Sequence, residues 1–142
     1  MSIDDLIKNG RIHPFHARPE EIAKLMEIAW RDITLAENIS GESLDWSYSI
    51  AYNAMLQSSR AYMFYLGYRP ASSEAHKNTI EFMRITVDEP MKETIDYFDR
   101  IRIKRHQIIY NEMGLATEAE VGFLIKQTRT LIEYVEQKLH AK

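Results

Sequence analysis

The sequence predicts an all-α protein, an up-and-down bundle of four long helices plus a shorter helix. Three observations carry that expectation. Apolar residues recur at helical spacing through four long stretches, strong start and stop signals separate those stretches, and no alternating strand pattern or internal repeat is present. At 142 residues, 45% hydrophobic and 27% charged, the chain is long enough to bury one real core.

Residues 1–17 read as an N-terminal arm and 18–142 as the bundle. In the arm, Ile3, Leu6 and Ile7 suit one short helical turn, ended by Asn9-Gly10. Arg11 to His16 reads as extended, because Pro14 restricts His13, and Ile12 and Phe15 are expected to pack on the body. The first long helix starts at Pro19, with Glu20 and Glu21 at its positive end, and Gly41 ends it. The second has Ser43 or Asp45 as its cap and runs to Leu66, with Gly67 as the stop. It carries a column of small residues, Ser47, Ala51, Ala54, Ser58 and Ala61, that lets another helix come close. Whether that helix belongs to the same chain or to a second copy stays open. Six aromatic residues wrap around the column, so this helix is expected at the centre, with core packing favoured over base stacking. Tyr68 to Ala71 is a connector. Ser72 or Ser73 is expected to cap the shorter helix, on which His76 could reach a phosphate but reads first as a surface residue. Asp88-Glu89-Pro90 starts the next long helix, which ends around Asn111 before Gly114. Thr117 and Glu120 form a capping box for the last, whose apolar face runs from Val121 to Leu139.

The totals exclude several classes. Without cysteine there is no disulfide framework, thiolate metal site or cysteine nucleophile. His13 and His16 lack a third ligand nearby, so no metal and no cofactor are expected. The chain shows neither a signal-peptide pattern nor an apolar run near the roughly 18 residues of a membrane span, which fits a cytoplasmic protein. A net charge of −3 leaves no broad footprint for nucleic acid, and the dense basic segment is Arg100, Arg102, Lys104 and Arg105. Phosphate-loop, serine-elbow and zinc-protease motifs are absent.

The helix from Glu89 onward carries the chemistry. At about 100° per residue Met91, Phe98 and Ile109 share a line, and Arg105 falls almost on it with Arg102 beside it. A guanidinium on a buried stripe is costly unless paired or facing a wet cleft. Asp99, His106 and Tyr110 lie on one flank, with Asp99 and His106 within reach of Arg102. A plain ion-pair network between Asp99 and the arginines is the competing reading. On the second helix, Asn53 and Arg60 are the polar residues out of keeping with their surroundings.

At Arg105-His106-Gln107-Ile108-Ile109-Tyr110 the chain resembles the HEPN domains (higher eukaryotes and prokaryotes nucleotide-binding). It resembles them also in Ala51-Tyr52-Asn53-Ala54, in Gly67-Tyr68-Arg69-Pro70 and in the Pro19 to Ala36 helix, so the likeness covers roughly 18–138. The resemblance implies a helical bundle that dimerises. It also implies a signature arginine followed, after four to six positions, by a histidine. In active members two copies meet at these residues and cleave RNA without a metal. Arg105 matches the arginine and His106 the polar residue after it, but the histidine position falls at Tyr110, and an unperturbed phenol near pKa ~10 is a poor base. The tyrosine that a partner enzyme modifies in some members corresponds to Glu112.

The leading expectation is therefore a homodimer binding RNA or a nucleotide, a toxin-type, metal-independent ribonuclease or a relic of one. Arg105, His106 and Tyr110 are its catalytic candidates, and Arg102, Asp99, Asn53 and Arg60 its binding candidates. The alternative that the resemblance implies is a non-catalytic module that partners a small nucleotidyltransferase.

Overall fold

The computed structural model describes residues 1–110 and 114–141, with the side chains of Ile109 and Tyr110 outside the described set. Its elements are α1 (Ile3–Lys8), β1 (Ile12–Pro14), α2 (Pro19–Ile39), α3 (Leu44–Leu66), β2 (Tyr68–Pro70), α4 (Ala75–Thr86), α5 (Glu89–Tyr110) and α6 (Glu118–His140). The helical bundle, with four long helices and the shorter α4, is as the apolar spacing predicts. The tail of the α5 expectation, including Asn111 and Glu112, lies outside the described residues.

The ends follow from local chemistry. Ser43 Oγ accepts from the Trp46 N–H, and Gly67 closes α3 at φ 98°, a left-handed conformation that costs glycine little. Thr117 and Glu120 form the reciprocal capping box of α6. Asp45 does not cap α3. Its carboxylate accepts from the Gly114 and Ala116 N–H groups, fastening the chain between α5 and α6 to the start of α3. The α4 cap also differs from expectation. Glu74, not Ser72 or Ser73, holds that position at φ 56°, while the Ser73 carbonyl accepts from Asn78 Nδ2.

Packing centres on α3, which touches α2, α4, α5, α6 and β2. All five small residues of its column are buried, and the Ser47 hydroxyl donates to the Ala36 carbonyl of α2 at 2.6 Å. The close approach is thus made within the chain. Tyr48, Tyr52 and Tyr62 are buried, as core packing requires, whereas Trp46 and Tyr65 are exposed.

The all-α class stands, and one small ladder that the sequence pattern does not announce is added to it. β1 and β2 form an antiparallel ladder with Ile12 opposite Pro70, His13 opposite Arg69 and Pro14 opposite Tyr68. Three residues and a proline in each strand leave no alternation to read. Bonds from the Phe15 N–H to Gly67 O and from the Ala71 N–H to Arg11 O extend it. Leu6 and Ile12 are completely buried, and the Phe15 ring lies 4.8 Å from that of Phe64. The arm is thereby fixed against the end of α3, and with it the residues after Gly67. Among the described residues no helix is long and apolar enough to cross a membrane.

Candidate functional site

Two adjoining hollows open where α4 meets α3 and α5. The first, of about 380 Å³, is lined by Asn53, Gln57, Arg60 and Phe64 of α3, Arg69 of β2, and His76 and Thr79 of α4. The second, of about 670 Å³, has Arg102, Ile103, Arg105 and His106 of α5 on one side and Glu74, His76 and Lys77 on the other. Ser72, Ala75 and His76 line both, so the hollows form one crevice with His76 at the junction.

Arg105 sits where the stripe argument puts it, at the edge of the core. Its guanidinium lies 5.4 Å from the centre of the buried Tyr52 ring, and its Nε is buried with no hydrogen-bond partner among the described residues. Cation–π attraction offsets part of the desolvation cost but satisfies no N–H. Arg102 is half-buried and reaches Asp99 at 3.4 Å, and Asp99 also faces Arg84 at 3.6 Å. The ion-pair network therefore accounts for Asp99 and Arg102 and leaves Arg105 outside it. His106 is exposed on the same wall of the crevice. Tyr110, the position of the missing signature histidine, is a helical residue whose side chain lies outside the described residues.

Asn53 and Arg60 belong to a relay that crosses helices. Buried Asp32 of α2 accepts from Arg31 Nε at 3.0 Å and from Asn53 Nδ2 at 2.7 Å. Gln57 Nε2 donates to Asn53 Oδ1 at 3.4 Å, and Arg60 donates to Gln57 Oε1 at 3.3 Å. The relay fixes Arg60 through neutral partners, so its charge stays uncompensated; its guanidinium lies 5.6 Å from the Phe64 ring centre. Among the described residues Arg60, Arg69 and Arg105 form no ion pair, and Glu74 is the carboxylate in the lining.

The dense basic segment does not act as one patch. Lys104 pairs with Glu120 of α6, and Arg100 lies 5.9 Å from the Tyr97 ring, away from the crevice. The crevice instead draws its charge from four elements. Arg69, Gln57 and Tyr52 are the participants that sequence reasoning missed, while His76 is the exposed residue it expected, in the place where a phosphate contact was the lesser reading. The Tyr52 hydroxyl lies 3.5 Å from His76 Nδ1, and one edge of His76 remains in solvent. Desolvation of the inner face, then the nearby Arg105, Arg102 and Arg60, lower the His76 pKa below the ordinary value. Burial pushes the Tyr52 phenol well above its usual range, so its hydroxyl remains protonated. Together these groups form a concave surface of guanidinium and imidazole donors, suited to an anion with several oxygens.

The comparisons with known proteins agree with the architecture. No curated protein and no solved structure gave a match. The family model for the HEPN domain matches residues 22–138, most of the chain and every helix that lines the crevice. The chain belongs to the HEPN domain family.

Proposed function

We propose that this HEPN protein works as a homodimer whose crevice binds the phosphate of RNA or of a nucleotide. At family level the domain points to nucleotide- or RNA-related function, and HEPN domains often dimerise. The observation that carries the reading is Arg105, a guanidinium held on a tyrosine face with a buried N–H unsatisfied, in a crevice rich in further cations. An anion there supplies the missing counter-charge. Bound RNA also presents a 2′-hydroxyl, and in the ribonuclease reading His106 takes its proton as the 2′-oxygen attacks the adjacent phosphorus. The bond to the 5′-oxygen breaks, leaving a 2′,3′-cyclic phosphate and a 5′-hydroxyl protonated from solvent, while Arg102 or Arg105 stabilises the charge on the phosphorane oxygens.

The test is binding and cleavage of labelled RNA in the presence of EDTA, by wild type and by Arg105→Ala and His106→Ala. The expected results are loss of binding by at least about tenfold in Arg105→Ala, consistent with a charge-assisted contact of roughly 1.5–3 kcal/mol, and loss of cleavage in both variants. Binding unchanged by Arg105→Ala refutes the crevice. Equal cleavage by all three proteins assigns the activity to a contaminant.

A further inference from the structure

We propose that the crevice is a path for single-stranded RNA holding two successive phosphates, one against Arg102 and Arg105 and the next against Arg60 and Arg69, with His76 between them. This inference rests on the phosphate-binding reading above and names its substrate class. The two hollows meet at His76, and each is lined by a pair of guanidiniums. Each is of the size that takes a small ligand of nucleotide scale. A nucleoside monophosphate brings a phosphate to one pair and none to the other; a strand brings one to each. Charge argues the same way. Arg60, Arg69 and Arg105, which form no ion pair among the described residues, line the crevice with Lys77 and the Asp99-paired Arg102, against the single lining carboxylate Glu74, in a protein whose net charge is −3.

The first hollow also has a surface for a base. Phe64 lines it beneath Arg60, and the Arg60 guanidinium is steadied by the relay from Asp32. With the Phe64 ring already against Phe15, the planar guanidinium fixed over it is the face on which a base can stack, whatever its sequence. A splayed single strand can place a base there and its phosphates on the arginines. A duplex keeps its bases stacked inside and cannot.

The test compares labelled hexauridylate, UMP as competitor and a blunt RNA duplex of the same length, on wild type, Arg69→Ala and Arg105→Ala. The Arg69 side chain is exposed and forms no hydrogen bond or ion pair among the described residues, so its removal is read as a charge change, with circular dichroism confirming the fold. The hexamer is expected to bind at least about tenfold tighter than UMP and the duplex. Arg69→Ala is expected to weaken the hexamer, to lower the log–log salt slope by about 0.7 for each phosphate it no longer neutralises, and to leave UMP unchanged. Hexamer and UMP affinities within twofold of each other, a duplex bound as well as the single strand, or an Arg69→Ala variant with an unaltered salt slope would each overturn the path. If Arg105→Ala changes the binding of neither hexamer nor UMP, the phosphate-binding reading itself falls too.

Discussion

His76 is the residue whose protonation the crevice biases. From α5 it faces Arg102, Arg105, His106 and the Asp99 carboxylate behind them; from α3, Tyr52 and Arg60; from β2, Arg69; and on its own side, Glu74 and Lys77. With its pKa lowered in the folded state, the unfolded chain binds the extra proton more readily. Its contribution to stability is therefore present above the unfolded value of roughly 6.5 and is lost as pH falls through the folded value. A phosphate among the same arginines reverses the field and raises the pKa, so binding takes up a proton and affinity rises as pH falls from neutrality. NMR titration of the His76 ring should show a midpoint below that of a model histidine, moving up on addition of UMP. A free-protein midpoint at or above the model value contradicts this. Following the ring itself separates it from His106, the other imidazole of the crevice. Arg105 was legible because a guanidinium on an apolar stripe is an anomaly in one dimension. His76 was legible only in part: on a short helix with polar neighbours it reads as the surface imidazole it is, with a phosphate within possible reach, but its setting comes from Tyr52 and Arg105, 24 and 29 positions away in sequence.

At the level of elements, caps and apolar spacing gave α2, α3, α5 and α6 because those signals are local. The β1–β2 ladder escaped because its energy lies in main-chain bonds that leave no side-chain pattern. It matters to the site, since it holds Arg69 opposite His13 and seats Phe15 on Phe64. Ile12→Ala, at a position with no solvent exposure, should cost about 2–5 kcal/mol in denaturant unfolding, as large-to-small core changes do. A loss well below 1 kcal/mol would show that the arm packs loosely. The small-residue column makes a second case. Its spacing announced a close helix neighbour, while the identity of that neighbour awaited the Ser47–Ala36 bond. Ala54→Leu, at a fully buried point of the column, should destabilise by about 1–3 kcal/mol through overpacking. A neutral result would mean that α3 has slack where none is seen.

For the whole molecule the question is what a second copy adds. The described residues already make a crevice with an unmatched positive charge, so phosphate binding in the proposal does not need a partner, whereas cleavage by the family's two-copy arrangement does. Ile103 is 55% exposed on α5 at the rim that carries Arg102 and Arg105. A large apolar group at the edge of a charged cleft, as Ile103 is, suits a subunit contact that brings two such clefts together. Light scattering on the purified protein should give twice the chain mass. Ile103→Lys should shift it to the monomer while circular dichroism and the melting temperature hold, because the side chain contributes little to the core. That variant should retain RNA binding within a fewfold and lose metal-independent cleavage. A wild-type monomer removes the dimer from the proposal and leaves the crevice standing. A dimer that ignores Ile103→Lys moves the contact to another face and parts the guanidinium helices, and with them the case for shared catalysis.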